Sequence, residues 1–344
     1  MTMGNEGSGG PLRAGIIGCG GRGHAHAEGY AEDERVEIAA CADPSEEARN
    51  GLAERFGVAG TWADYGEMLD REGLDLVSVC TWPHLHRPMI EAAAAAGARA
   101  IHAEKPMAPT WGDARAMHAA CEERGVVLTF CHQRRFGDGF LTARQLLRDG
   151  AVGPLRRVEG VCSNLFDWGT HWFDMMFFYN DETPASWVLG QIDVSEHREI
   201  FGVRLDTSGL SWVRFQNEVE GLLATGDARY TGAANRLIGE EGVIEVEGGG
   251  GGLRMQRGGG WQEVEERSSG VPAARHTIAS VLDLVDCLFS GDEPELSSRK
   301  ALQATELIFA TYESSRRRGR VDLPLEVEDS PLLSMLDEGV IGGG

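Results

Sequence analysis

The sequence predicts an α/β chain in two parts: a doubly wound parallel sheet first, then an α+β part with a large, open, mainly antiparallel sheet. Three observations carry this reading. Strand-like and helix-like segments alternate over the first 133 residues, the pattern of a parallel sheet with helices on both faces. The first strand runs directly into Gly18-Cys19-Gly20-Gly21-Arg22-Gly23, a G-x-G-x-x-G turn that opens a helix. From Ala185 to about Val264, strand-like segments follow one another almost without interruption. At 344 residues the chain has room for two domains, expected at residues 11–133 and 134–330.

The elements follow in order. Apolar, β-branched runs at Leu12–Gly18, Val36–Asp43, Leu76–Thr81, Arg99–Glu104 and Val126–His132 predict five parallel strands. Helices are expected between them at Ser45–Phe56, Leu85–Ala96 and Thr110–Arg124. Ala92–Ala96 has high helix propensity and Gly97 supplies a C-terminal stop. After Phe136 the pattern changes. A helix is expected at Gly139–Arg148, a strand at Leu155–Cys162 and a helix at Asp167–Tyr179. Strands are expected at Ser186–Asp193, Val203–Asp206, Leu210–Gln216, Glu220–Ala224, Arg236–Gly239 and Val243–Glu247. Helices return at Ala274–Phe289 and Ser297–Arg317, placed on the second sheet. Gly248–Gly252 and Gly258–Gly260 are read as hairpin turns, because no helix follows either one.

Composition narrows the function. The net charge of −22 disfavours nucleic acid, whose phosphates need a basic surface. No run of eighteen apolar residues predicts a membrane span. The polar, Gly-rich segment Met1–Gly10 does not read as a signal peptide. The seven cysteines show no C-x-x-C or metal-ligand spacing. They predict reduced, buried thiols in a cytoplasmic protein, and no metal is expected.

The glycine turn is a cofactor site by its context. Gly18 permits the tight turn, Gly20 lets the backbone approach a pyrophosphate, and Gly23 allows close packing of helix on strand. Free N–H groups at the helix N-terminus favour the anion. Asp43 follows Gly23 by twenty residues, at the end of the second strand. A carboxylate there accepts hydrogen bonds from ribose hydroxyls and repels a 2′-phosphate, so NAD is favoured over NADP. Arg49 has the reach to oppose that preference. These features define a Rossmann dinucleotide-binding domain.

Lys105 stands out in composition: the chain has two lysines, Lys105 and Lys300, against thirty arginines. It lies in Glu104-Lys105-Pro106 at a strand end. Unlike Arg, a partly buried Lys can lose its proton near neutral pH. Asp167 and His171 form a second cluster within an aromatic stretch, Asp167-Trp168-Gly169-Thr170-His171-Trp172-Phe173-Asp174. Their i,i+4 spacing places both on one face of a helix. His171 can carry a proton near neutral pH. Asp167 can orient it, bind a substrate hydroxyl, or serve as an N-cap.

Together these motifs resemble the Gfo/Idh/MocA family, of the glucose–fructose oxidoreductase and inositol dehydrogenase type. The shared elements are the glycine turn, Asp43, Thr81 with His86, Glu104-Lys105-Pro106, Gln133-Arg134-Arg135-Phe136, and Asp167-x-x-x-His171 with Asp174. The resemblance implies Lys105 and His171 as the catalytic pair, with Asp167 assisting. It implies that Gly18, Gly20, Gly21, Arg22, Gly23, Asp43, Thr81, Trp82, His86, Glu104 and Lys105 surround the cofactor. Gln133 and Arg135 are expected in the cleft, with Trp168 and Trp172 offering apolar faces to substrate. It further implies a homodimer or homotetramer through the C-terminal sheet. Two departures stand out. Trp82 replaces the family's usual Pro after Thr81 and is expected to restrict the pocket. The segment from Leu155 to Asp167 is short, so the substrate identity of relatives does not transfer.

The implied activity is NAD-dependent oxidation of a secondary alcohol of a neutral sugar, inositol or related polyol, or reduction of the keto form. The alternative is an NAD-dependent glycosidase that oxidises the sugar transiently. Aglycone release without net NADH distinguishes the two.

Overall fold

The computed structural model describes residues 10–226, 234–247, 252–266 and 275–342. The first sheet has six parallel strands: β1 (Leu12–Ile17), β2 (Val36–Ala42), β3 (Gly60–Trp62), β4 (Leu76–Val79), β5 (Ala100–Ala103) and β6 (Val127–Phe130). Their order is β3-β2-β1-β4-β5-β6. The order reverses between β1 and β4, so a crevice opens at their carboxyl ends. Helices α1 (Gly21–Ala31), α2 (Glu46–Phe56), α3 (Tyr65–Glu72), α4 (Pro83–Ala95) and α5 (Trp111–Glu122) connect these strands. Ser45, Asp64 and Thr110 cap α2, α3 and α5 by accepting from the backbone N–H of Ala48, Glu67 and Asp113. The edge strand β3 and α3 were not expected from sequence. Three residues with Gly60 at their head give no periodicity to read.

A short 3₁₀ turn, Gln133–Phe136, leads out of the first sheet. Then come α6 (Asp138–Arg148), β7 (Leu155–Cys162), α7 (Gly169–Tyr179), β8 (Ala185–Asp193), β9 (Glu199–Ile200) and β10 (Val203–Arg204). They are followed by β11 (Ser208–Phe215), β12 (Glu220–Thr225), β13 (Asn235–Gly239), β14 (Val243–Val246), β15 (Leu253–Gln256) and β16 (Trp261–Glu263). The chain closes with α8 (His276–Ser290), α9 (Ser298–Arg317), β17 (Val321–Asp322) and α10 (Pro331–Asp337).

The second sheet has nine strands in the order β16-β15-β14-β13-β7-β12-β11-β8-β17. Its pairings are antiparallel except β7 with β12, which is parallel. Every residue of α7 is buried between this sheet and α9. The opposite face is open: Leu189, Leu210 and Trp212 are exposed there. Gly258–Gly260 form the β15–β16 turn. Of the other glycine run, residues 248–251 lie outside the described residues.

One helix lies elsewhere than expected. α8 does not cover the second sheet; it packs on α1 against the first. Val281, Leu284 and Val285 join Leu12, Ala14 and Ile16 in one buried cluster. A Cβ on Gly29 of α1 would stand 2.6 Å from Val281 Cβ, so the glycine is what admits the helix. The second half of the chain thereby completes the core of the first. No described helix is long and apolar enough to cross a membrane.

Candidate active site

The cleft begins at the glycine turn. Gly18 closes β1 with φ +91°, and a Cβ there would lie 2.5 Å from the Cys80 carbonyl oxygen. A Cβ on Gly23 would lie 2.1 Å from the Gly18 carbonyl oxygen, so only glycine lets α1 start against the strand. Gly20 and Gly21 differ: a Cβ on either would meet nothing within 4 Å. Their backbone faces open space at the N-terminus of α1, where N–H groups lack helical partners. This cradle fits a dinucleotide pyrophosphate. Asp43 stands beside it. Its carboxylate accepts from the Cys19 N–H at 2.9 Å and the Ser45 N–H at 2.8 Å.

A cavity of about 360 Å³ extends from the turn. It is lined by Gly20, Gly21, Arg22, Cys80, Thr81, Trp82, Pro83, Glu104, Lys105, Gln133, Arg134, Trp168, His171 and Phe201. A larger surface hollow, about 670 Å³ beside α5, shares none of these residues and holds no comparable chemistry.

Lys105 lines the cavity and pairs with Asp167, which is buried behind the lining. The ammonium donates to Asp167 Oδ1 at 2.6 Å, and to the Asp167 carbonyl at 3.3 Å. Helix α7 starts two residues later than expected, so Asp167 and His171 do not share a helical face. Asn164 does the local capping instead, its Oδ1 accepting from the Asp167 N–H at 2.7 Å. That leaves the Asp167 carboxylate for Lys105 rather than for His171. His171 is buried, and its Nδ1 has no hydrogen-bond partner among the described residues. Burial, helped by the charges of Lys105 and Arg134, holds its pKa well below the usual histidine range. It is a neutral imidazole at pH 7.

Glu104 faces the other way. Its Oε1 accepts from Arg22 Nε at 2.6 Å and contacts His26 Nε2 at 3.0 Å. Burial alone would raise its pKa, but His26 and Arg22 outweigh burial and hold it well below the carboxylate range. Arg22 also reaches Thr277 of α8 at 3.1 Å and Cys131 at 3.4 Å. Behind it, His26, His102 and Cys131 bring ligand atoms within 4.8 Å of one another. Each is already engaged: His26 with Ser78 and Glu104, His102 with Thr129 and Ser280, Cys131 with Arg22. The group works as a hydrogen-bond network joining α1, β4–β6 and α8.

Several expected residues sit elsewhere. His86 is buried between two carbonyls, its Nδ1 2.9 Å from that of Met107 and its Nε2 3.1 Å from that of Thr81, and as a neutral imidazole it donates to one of them. It fixes the Thr81 turn and does not line the cavity. Arg135 is also turned away, into a buried network with Asp174, Glu182 and Glu295. Neighbours in a 3₁₀ turn point in different directions, so Arg134 takes the cavity position. Its guanidinium lies 4.6 Å from the Trp172 ring centroid and 5.5 Å from that of Trp168. Trp172 is therefore a buried support for Arg134, not a substrate face. Trp82 lines the cavity while remaining 54% exposed. Sequence reasoning missed Cys80, Pro83, Arg134 and Phe201. Arg134 was visible only as part of its motif, and Phe201 precedes an unremarked Gly202.

Comparison with known proteins agrees with this geometry. A family model described as the Oxidoreductase family, NAD-binding Rossmann fold, matches residues 12–132. D-apiose dehydrogenase of Paraburkholderia graminis is 28% identical, over 96% of this chain and 94% of its own length. Myo-inositol 2-dehydrogenase of Thermotoga maritima is 27% identical, over 54% of this chain and 60% of its own. A levoglucosan dehydrogenase solved with NADH and levoglucosan superposes with a TM-score of 0.80 at 21% identity, over 92% of this chain and 100% of that one.

Proposed function

This chain belongs to the Gfo/Idh/MocA oxidoreductases, and from that premise we propose that it is an NAD-dependent dehydrogenase oxidising a secondary alcohol of a sugar, inositol or related polyol. The observation that carries the proposal is that Lys105 and His171 line one cavity at the glycine turn, with the buried Asp167 carboxylate holding the Lys105 ammonium. The dehydrogenases named above act on such compounds by name.

A bound nicotinamide supplies the acceptor for the hydride leaving the carbinol carbon. The residues of this chain manage the proton. The substrate hydroxyl lies between Lys105 and His171. His171, neutral at pH 7, takes the hydroxyl proton as the C=O bond forms. Lys105, oriented by Asp167, donates to the same oxygen and stabilises its developing charge. In the reverse direction His171 returns the proton to the carbonyl oxygen. Trp168, 41% exposed beside His171, offers a ring to the sugar's C–H face. Gln133 offers an amide to its hydroxyls.

Asp43 supports NAD over NADP, because a 2′-phosphate would approach a carboxylate. Arg49 is turned onto the Asp43 and Pro44 carbonyls, at 3.3 Å each. We assign a homodimer or homotetramer to the open face carrying Leu189, Leu210 and Trp212, which sedimentation would test.

The deciding experiment follows NADH formation and aglycone release together over inositols, free sugars and simple glycosides. NADH without aglycone release is expected. Aglycone release without NADH accumulation would overturn the dehydrogenase reading in favour of the redox-assisted glycosidase.

A further inference from the structure

Exposed apolar rings gather at this cleft on a chain of net charge −22. Among the described residues ten large apolar side chains are exposed, and three of them line this one cavity: Trp82 at 54%, Trp168 at 41% and Phe201 at 37%. Trp168 neighbours His171, with ring centroids 6.5 Å apart, and so belongs to the reacting end. The Trp82 ring and the backbone that follows Phe201 both approach His84. The Trp82 ring meets His84 edge-on at 5.9 Å. A Cβ on Gly202, next to Phe201, would stand 4.0 Å from the same imidazole.

Phe201 is held there against its backbone preference. It joins β9 to β10 with φ +51°, and Gly202 follows at φ +74°. Both turn residues are left-handed, as in a type I′ hairpin, where Asn or Asp before Gly is favoured. An aromatic residue in that conformation is strained, and such strain clusters at functional sites. The strain does not serve the core. Ile200, Val203 and Leu205 pack with Phe166 beneath the hairpin, while Phe201 stays outside that cluster and faces the cavity. The hairpin thus carries one apolar ring from the second half of the chain across to α4.

The lining is mixed. Lys105, Gln133, Arg134 and His171 supply groups suited to hydroxyls, while Trp82 and Phe201 add exposed aromatic surface whose one side-chain donor is the indole N–H. We propose that Trp82 and Phe201 form a subsite for a planar, apolar group carried by the substrate, so that the preferred substrate is an aryl glycoside rather than a free sugar. This rests on the reading that Lys105 and His171 hold a sugar ring.

Binding calorimetry on the NADH-saturated protein tests it. The titrants are paired methyl and para-nitrophenyl glycosides of glucose, galactose and xylose. For the sugar accepted, the aryl member should bind about tenfold more tightly. Phe201→Gly and Trp82→Ala should each bring that ratio towards one. Glycine adopts φ > 0 without strain, so Phe201→Gly should fold at least as stably, which its Tm verifies. Equal affinity within each pair, or a preference that survives both substitutions, overturns the subsite. NADH formation from the same compounds separates the two proposals. A ring-dependent aryl preference with no glycoside oxidised would sink the dehydrogenase reading and leave the subsite. Oxidation without aryl preference would do the reverse.

Discussion

Glu104 and Lys105 are adjacent in the chain and serve opposite sides of the cleft. The Glu104 carboxylate turns back to Arg22 and His26 in α1, while the Lys105 ammonium turns forward to Asp167 at 2.6 Å. One dipeptide at the end of β5 thus ties the glycine-turn helix α1 to Asp167 across the cavity.

Lys105→Arg should lower kcat by about 10²–10³-fold, close to the loss in Lys105→Ala. A planar guanidinium cannot set a single donor between Asp167 and the substrate oxygen. NADH should still bind both variants, as fluorescence titration would show. Substantial turnover by Lys105→Arg would refute the assigned role.

The glycine turn predicts a contrast. Gly23→Ala forces a Cβ against the Gly18 carbonyl, 2.1 Å away, and should destabilise the fold by about 1–3 kcal/mol. Gly21→Ala has open space and should leave the Tm nearly unchanged while weakening NADH binding. Urea unfolding and dinucleotide titration of both variants check this.

Removing Arg22 should act on cofactor binding and stability together. Arg22→Met leaves the buried Glu104 carboxylate with His26 as its remaining side-chain partner. Because the Arg22 side chain is partly exposed, its loss should cost about 1–3 kcal/mol. Glu104→Gln, which keeps an acceptor for Arg22, should cost less. The order of the two midpoints in urea decides the point.

Burial lowers the pKa of His86, His102, His132 and His171. In the unfolded chain a histidine titrates near pH 6.5. Below about pH 6.5, unfolding therefore takes up protons. Stability is complete above that pH and falls as pH drops towards the folded values. Each histidine adds a slope of up to about 1.4 kcal/mol per pH unit. A urea midpoint that stays flat from about pH 7.5 to 5.5 would contradict this. The acid limb of kcat/KM should also lie below the ordinary histidine range, because His171 stays neutral there.

The parallel strands were legible because each is a short apolar run bounded by turn residues, and the glycine turn because its geometry admits few residues. Lys105 was legible by composition alone. Other features depend on direction, which sequence does not encode. Arg134 and Arg135 are neighbours with identical chemistry, and only the 3₁₀ turn decides which one enters the cavity. Asp167 and His171 have helical spacing, yet Asn164 delays the helix. The apolar face of α8 signals burial but does not name the surface it meets.

That surface dictates an order of events during synthesis. The flank of β1 around Leu12 and Ile16 is covered by Val281 and Leu284. Arg22 and His102 find hydroxyl partners in Thr277 and Ser280. As the chain leaves the ribosome, its first six strands are complete long before these residues exist. The early segment therefore emerges with an apolar flank and buried polar groups uncovered, and must wait for the last quarter of the chain before its own core can close.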